Sequence, residues 1–302
     1  MQSMRVRHTT TYHYTRPVSF GEHRLMFRPR DSHDMRLTGT NLRIAPPPAE
    51  TRWLHDVFSN SITLVTFDRP AETLVFESTI DIVHYGSPAV DFPVDPYART
   101  YPFSYPVHEV PDLNRLIERH YVDGQHRVDG WAKAFVQEAE DPVDTVGLLR
   151  EITQAIHREF SYEVRHAVGT RSPAETLTRG SGSCRDLALL MMEVVRSLGF
   201  AARFVSGYLY DPALDRQGDA ADAMQGGGNT HAWVQVYLPG AGWVEFDPTN
   251  GRMGGANLIR VAVARDPNQA IPLQGTFTGY PDDFVRMDVD VQVTKHVEGD
   301  EG

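Results

Sequence analysis

A proline-rich segment separates two stretches of this chain that have different hydrophobic patterns. Prolines recur through residues 87–111, and tyrosine and phenylalanine lie between them. Because proline lacks an amide hydrogen and has a fixed φ, this segment cannot form a regular helix or a central strand. We therefore expect an extended linker over 87–111 that packs its aromatic side chains and separates an N-terminal domain, 1–86, from a second domain, 112–302.

The hydrophobic pattern before the linker is that of β-strands. Alternating runs rich in β-branched and aromatic residues are separated by glycine and proline, and they predict strands at 6–14, 24–27, 37–44, 62–67 and 74–83. These strands predict an antiparallel β-domain over 1–86. The histidines of this domain are scattered without the spacing of metal ligands, so we expect no metal site there.

The charge balance and the cysteine content limit the partners and the compartment. Lysine and arginine number 29 against 40 acidic residues, a net charge of −11, which argues against nucleic acid or an anionic membrane as a partner. A single cysteine cannot form an internal disulfide, and the first residues lack the apolar core of a signal peptide. No stretch is long and apolar enough to span a bilayer. We expect a cytoplasmic protein, and the sequence predicts no oligomeric state.

The pattern after the linker is helical, and its longest apolar stripe begins at the single cysteine. Apolar residues at spacings of three and four predict one helix over 143–160 and another from Cys184 to Leu198, with Gly199 at its end. At a helix N-terminus, unpaired amide groups and the helix dipole favour a nucleophilic thiolate. The same stripe would also bury an inert cysteine. The position of Cys184 alone therefore leaves both interpretations open.

A β-hairpin pattern follows, over residues 230–249. Two alternating runs flank a Pro-Gly-Ala-Gly turn, and His231 and Asp247 both belong to the less apolar set of alternate positions. If the apolar positions of both strands share one core, His231 and Asp247 share the opposite face. This register requires a loop of three or five residues, or a bulge, because a four-residue loop would pair Leu238 with Trp243.

Cys184, His231 and Asp247 have the residue types of a thiol catalyst. A catalytic thiol needs a base to take its proton and a third group to orient that base. A histidine at the start of a strand and an aspartate before proline are each more often structural. Together the three residues fit the thiol, imidazole and carboxylate of cysteine acyl-transfer enzymes.

Four sequence blocks resemble those of the transglutaminase-like superfamily, and they occur in the order of that family. The blocks are 180–186 (Gly-Ser-Gly-Ser-Cys-Arg-Asp), 196–208, 231–234 (His-Ala-Trp-Val) and 243–249 (Trp-Val-Glu-Phe-Asp-Pro-Thr). The resemblance implies an α+β fold with a papain-like core over about 143–264, in which the helix that begins at the cysteine packs on an antiparallel sheet. It also implies that Cys184 is the nucleophile, His231 the general base and acid, and Asp247 the orienting carboxylate.

The two ends of the chain resemble the bacterial branch of this superfamily. Residues 53–60 are similar to a turn in its N-terminal β-domain, although the family usually has glycine where this chain has Ser59. The residues from about 258 onward resemble the β-strands that close such proteins. We expect these strands to join the core sheet or the N-terminal β-domain.

The reaction that the resemblance implies is acyl transfer on an amide bond of a peptide or protein, through a thioester. Hydrolysis of a peptide or isopeptide bond is the expected outcome, and the alternatives are cross-linking of a protein glutamine to an amine and a non-catalytic binding module. The backbone amide of Cys184 is the expected oxyanion donor, and Tyr162 is a candidate for the second. Trp233 and Trp243, on the face that carries His231, are candidates for the walls of the cleft.

No metal and no cofactor are expected. The segment 211–228 is polar and rich in glycine, and it is predicted to form a solvated flap beside the cleft. Its aspartates lack the spacing of an EF-hand calcium loop: Asp211, Asp215, Asp219 and Asp222. Asp186 lies in the first turn of the predicted helix, where the helix dipole is a sufficient reason for a carboxylate.

Overall fold

The computed structural model describes residues 1–86, 92–137, 142–165, 169–215 and 224–295. The strands are β1 (Gln2–Phe20), β2 (His23–Leu25), β3 (Met35–Ala45), β4 (Glu50–His55), β5 (Ser61–Thr66), β6 (Ala71–His84), β7 (Thr100–Tyr101), β8 (Val143–Asp144), β9 (Ser161–Tyr162), β10 (Ser181–Gly182), β11 (Ala202–Leu209), β12 (Thr230–Leu238), β13 (Gly242–Asp247), β14 (Arg252–Met253), β15 (Leu258–Ala264), β16 (Leu273–Gln274), β17 (Phe277–Thr278) and β18 (Phe284–Lys295). The α-helices are α1 (Val110–Ile117), α2 (Arg127–Gln137), α3 (Thr145–Glu159), α4 (Pro173–Arg179), α5 (Cys184–Ser197) and α6 (Pro212–Asp215).

Two antiparallel sheets form the N-terminal part of the molecule, as the alternating runs predict. In the first sheet the order is β3, β6, β1. The other edge of β1 pairs with β18 along its first part and with β17 at its end. The second sheet has the order β16, β2, β5, β4. β1 continues through Pro17 because its register with β6 breaks between His13 and Val18, where the ladder needs no amide donor.

Strand β4 and the turn after it occupy the residues that resemble a family turn. The sequence does not predict β4, because nearly all of its side chains are exposed and the strand lacks the usual alternation. In the turn, Ser59 has a φ of +62°, in the left-handed region that favours glycine. Ser59 therefore stands at a position where the backbone conformation favours glycine, the residue that the family usually has there.

The described part of the proline-rich linker, residues 92–111, packs on the second part of the chain. The ring of Tyr101 stacks on Phe200 with centroids 5.5 Å apart, and Phe103 contacts the same ring edge-on at 5.7 Å. Val94 and Ala98 are buried in the same core. The aromatic packing expected for this segment is confirmed there, and Pro88 lies outside the described residues.

The second part of the chain is a helical layer on an antiparallel sheet of order β14, β13, β12, β11, β15. α5 lies across one face of this sheet, and its apolar stripe is buried against the even-numbered side chains of β12. α3 covers the helix predicted for 143–160. α2 is not among the predicted helices, although its apolar residues have helical spacing and pack on the core: Val128, Trp131, Ala132, Phe135 and Val136. The predicted α+β fold, with the cysteine opening a helix on an antiparallel sheet, is confirmed.

The C-terminal strands are shared between the two parts of the molecule. β15 forms an edge of the core sheet by pairing with β11, whereas β16, β17 and β18 pair with strands of the N-terminal sheets. These strands hold the N-terminal sheets next to the core. In the described part of the chain, no helix combines the length and the apolar character needed to span a membrane.

Candidate active site

The hairpin of β12 and β13 has the register that the sequence requires. Val236 pairs with Val244 and Leu238 with Gly242, so three residues form the loop. His231 and Asp247 consequently meet on one side of the hairpin. Nε2 of the His231 imidazole donates a hydrogen bond of 2.9 Å to Oδ2 of Asp247, and both side chains are buried.

The N-terminus of α5 places Cys184 beside this pair. Cys184 is the first residue of the helix and is only 7% exposed. The helix start is fixed by Asp186, which accepts hydrogen bonds from the Ser183 amide at 3.0 Å and from the Ser183 hydroxyl at 2.8 Å. The thiol of Cys184 lies close enough to His231 to raise the pKa of its imidazole.

Asp186 does more than complement the helix dipole. Its fully buried carboxylate also accepts hydrogen bonds from Arg165 at 3.0 and 3.1 Å and from the backbone amide of Arg171 at 2.7 Å. Burial raises the pKa of Asp186, but these hydrogen bonds outweigh burial and lower it below its ordinary value. Asp186 therefore fixes the chain before α4 against the start of the cysteine helix.

The His231 and Asp247 side chains form a charged pair. Burial lowers the pKa of His231, but the charge and hydrogen bond of Asp247, together with Cys184, outweigh burial and raise it to about 10. For Asp247, burial raises the pKa, and His231 and Asn250 lower it below its ordinary value. The imidazole is therefore cationic near neutral pH and holds a proton that it can give to a bound group.

The second ring nitrogen of His231 is available for chemistry. Nδ1 is buried and has no hydrogen-bond partner among the described residues. Because Asp247 holds Nε2, the ring cannot rotate without losing that bond, and Nδ1 stays directed away from the carboxylate. A nitrogen held in this way can exchange a proton with a group bound at Cys184.

Tyr162 lies next to the cysteine. It belongs to β9, which pairs in parallel with β10, so Tyr162 lies opposite Gly182, two residues before Cys184. Burial raises the pKa of Tyr162 to about 12, and the nearby Cys184 contributes to that rise. Its phenol therefore remains protonated and can donate a hydrogen bond near the thiol.

Trp233 lies beside His231 but is buried. Its ring is nearly parallel to the imidazole, with centroids 6.0 Å apart, and it is 0% exposed. Its Nε1 donates to the carboxylate of Glu245. Trp233 therefore lies beside the imidazole in the protein interior and does not form an exposed wall of the cleft.

Trp243 is not brought to the site. The hairpin register pairs it with Tyr237, six positions along β12 from His231, or about 20 Å at the rise of an extended strand. There its ring contacts Tyr237 and lies under the guanidinium of Arg203 at 4.1 Å. Alternation places Trp243 on the expected face, but distance along the strand separates it from the cysteine.

The acidic segment after β11 has a structural contact in its described portion. Asp211 accepts hydrogen bonds from the amides of Ala213 at 2.9 Å and Met224 at 2.6 Å. Asp219 and Asp222 lie outside the described residues. Among the residues that are described, no group of three or more His, Cys, Asp or Glu side chains is arranged to hold a metal ion.

Asn250 is a site residue that the sequence pattern did not single out. Its side-chain amide donates to Oδ2 of Asp247 at 2.8 Å, the oxygen that also holds His231. The Asp247 carboxylate also accepts from the backbone amide of Thr249 at 3.0 Å. The only sequence signal for Asn250 is its position just after the Asp-Pro-Thr block.

Two family models match this chain. Residues 4–83 match the bacterial transglutaminase-like N-terminal region, and residues 129–248 match the transglutaminase-like superfamily. An uncharacterized protein of Mycobacterium bovis and another of Mycobacterium tuberculosis are each 27% identical to this chain over 95% of its length and 91% of their own.

A solved structure has the same fold. It is a protein from Cytophaga hutchinsonii described as a candidate cysteine protease, 17% identical, with a TM-score of 0.66 over 97% of this chain and 90% of that one. The matched segments and the fold define a family with a papain-like fold. This chain belongs to the transglutaminase-like superfamily and carries the N-terminal region of its bacterial members.

Proposed function

We propose that the protein transfers acyl groups from amide bonds of peptides or proteins through a thioester at Cys184, with water as the usual acceptor. One observation carries this proposal: Asp247 holds Nε2 of His231, while Nδ1 is buried without a partner near the thiol. This arrangement supplies a nucleophile, a proton carrier and an orienting carboxylate in one place.

The proposed reaction has two steps. The Cys184 thiolate attacks the amide carbon, and the carbonyl electrons move to oxygen. When the tetrahedral oxyanion collapses, the C–N bond breaks and His231 gives a proton from Nδ1 to the departing amine. Water then gives a proton to His231 and attacks the thioester, so the acid leaves and the Cys184 thiolate is restored.

The oxyanion of each step needs hydrogen-bond donors. The backbone amide of Cys184, at the N-terminus of α5, is the proposed first donor. The protonated phenol of Tyr162 is the proposed second donor, because it lies opposite Gly182 and close to the thiol. Removing one such donor from an acyl-transfer site costs about 100-fold or more in turnover.

Alkylation of Cys184 tests the activated thiol. We expect iodoacetamide to label Cys184 about tenfold faster than glutathione at pH 7, as read by mass spectrometry. His231→Ala is expected to remove this advantage. His13→Ala, which changes a histidine of β1 outside the site, is the matched control and should label like the wild type. Labelling at the glutathione rate, or labelling unchanged by His231→Ala, would contradict the proposal.

The fate of the acyl group needs a second assay. Dimethylcasein and a fluorescent amine are incubated with the protein, and new amino termini, released ammonia and incorporated fluorescence are measured. New amino termini or ammonia without incorporation support hydrolysis. Incorporation of the amine at glutamine would replace hydrolysis with cross-linking, and no product from an activated Cys184 would leave the binding-module alternative.

A further inference from the structure

A glycine-rich turn, residues 224–228, lies directly over His231. Gly226 has a φ of +91°, and a Cβ atom added to it would lie 2.6 Å from Nδ1 of His231 and 3.2 Å from Cε1. Only glycine brings its main chain this close to the ring. The imidazole is consequently 1% exposed, and the turn covers the nitrogen that the proposed reaction uses.

Asn250 joins this turn to the charged pair. Its Oδ1 accepts from the amide of Gln225 at 3.0 Å, and its Nδ2 donates to the carbonyl of Gln225 at 3.2 Å. The same Nδ2 donates to Asp247 at 2.8 Å. One side-chain amide therefore binds both main-chain groups of a residue in the turn and the carboxylate that orients His231.

The turn is also attached at its two ends. The amide of Met224 donates to Asp211 at 2.6 Å, and the carbonyl of Gly228 accepts from the amide of Val291 in β18 at 3.2 Å. Between these attachments the side chains offer little packing, because two of the three residues there are Gly226 and Gly227. The hydrogen bonds of Asn250 are consequently the main contacts that keep Gln225 and Gly226 in place.

Gly226 occupies the space that the proposed reaction requires for the leaving group. Nδ1 of His231 must protonate the departing amine, so the leaving chain of a polypeptide substrate has to lie against that nitrogen. Gly226 lies there now, held through a neighbouring residue whose amide and carbonyl pair with Asn250. An extended substrate offers the same two main-chain groups.

We propose that the turn occupies the leaving-group side of the acyl site, that a polypeptide substrate displaces it, and that Asn250 is the positioning residue that latches first the turn and then the substrate's main chain. The inference rests on the proposed acyl transfer. On the leaving-group side of the site, the substrate is recognised through its main chain. An amide whose leaving amine belongs to an extended polypeptide is therefore a better substrate than an amide of a small amine.

The latch is tested by the size dependence of Cys184 labelling. The ratio of the labelling rate by fluorescein maleimide to that by iodoacetamide measures access and does not depend on how reactive the thiol is. Asn250→Ala removes both bonds to the turn, so this ratio is expected to rise about tenfold. Hydrogen exchange at residues 224–228 is expected to speed up. Gln225→Ala, which keeps the main-chain contacts, is the matched control and should change neither.

An unchanged ratio and unchanged exchange in a folded Asn250→Ala protein would overturn the latch, as would an equal rise in Gln225→Ala. If Asn250→Ala does not fold, Asn250→Asp replaces it, because it keeps the acceptor for Gln225 but loses both amide donors. A smaller rise in the ratio is expected for Asn250→Asp, because one of the two bonds to the turn remains, and no rise would overturn the latch. Failure of the latch is distinguishable from failure of the acyl-transfer proposal. The absolute iodoacetamide rate in His231→Ala tests the activation of the thiol, whereas the ratio of the two labelling rates tests only the turn.

Discussion

The side chain of Asn60 pairs with both main-chain groups of Val263, so that the turn after β4 is bound to the edge strand of the core sheet. Nδ2 of Asn60 donates to the carbonyl of Val263 at 2.7 Å, and Oδ1 accepts from its amide at 2.9 Å. The carboxylate of Asp56 holds the same Nδ2 at 2.9 Å. The N-terminal sheets are therefore attached to the core close to the cluster that contains Trp233.

Asn60→Ala is expected to lower the free energy of unfolding by about 2–4 kcal/mol, because it leaves a buried amide and a buried carbonyl without partners. Urea unfolding followed by fluorescence measures the loss. Asn41→Ala, at an exposed position of β3, is the control and should change stability little. Equal stabilities of the two variants would contradict this account of the attachment.

Ser59→Gly is expected to stabilise the protein by about 0.5–1 kcal/mol. The φ of +62° costs a serine more than a glycine, and the gain is reduced by the greater freedom of glycine in the unfolded chain. Thermal unfolding would show the rise in Tm. Ser61→Gly, in the strand that follows, is the matched control and should destabilise, so a decrease in both variants would reject the strain at Ser59.

Gly207→Ala is expected to destabilise the core by about 3 kcal/mol. An added Cβ would lie 2.1 Å from the carbonyl oxygen of Ile259 and 2.8 Å from Cη2 of Trp233, so β15 or the tryptophan would have to move. Gly130→Ala, in an exposed part of α2 with nothing within 4 Å, should instead stabilise, because alanine is the better helix former. Urea midpoints compare the two, and a neutral Gly207→Ala would show that the strands separate easily.

Stability is expected to fall as the pH rises above neutrality because of His231. Its folded pKa, about 10, lies above the ordinary value of 6.5, so the folded state binds more protons between these two values. The contribution is fully present below pH 6.5 and is lost as the pH rises through 10, with a slope of up to about 1.4 kcal/mol per pH unit for one proton.

Asp247→Asn isolates this effect. Without the carboxylate, burial is the dominant influence on the imidazole, and the extra proton is no longer held. Urea unfolding at pH 7 and pH 10 should therefore show a larger loss of stability in the wild type than in Asp247→Asn. Parallel losses in the two proteins would mean that the pair is not charged in the folded state.

The sequence predicted the parts of this structure that follow from local periodicity. The register of β12 and β13 follows from the alternation of apolar residues and the length of the turn, and it explains why His231 and Asp247 meet. Alternation specifies a face but not a distance along it. For that reason alternation alone groups Trp243 with His231, although Trp243 lies at the far end of the hairpin.

Contacts between distant segments could not be predicted in this way. Asn250 binds Gln225 and Asp247 with a single polar side chain, and no repeated spacing marks such a contact. The run of glycines at 226–228 predicts part of a solvated flap, whereas Gly226 lies against a buried imidazole. A run of glycines indicates either freedom of the backbone or close approach, and only the neighbouring residues decide between them.

The pairing of β18 with β1 has a consequence for how the protein is synthesised. β1 and β6 leave the ribosome early, but the other edge of β1 is covered only when β18 follows, after the whole core has been translated. Val291 of β18 also holds Gly228, at one end of the turn over His231. The nascent chain therefore contains Cys184 before it contains the strand that holds the turn over His231, and the turn is held at Gly228 only at the end of translation.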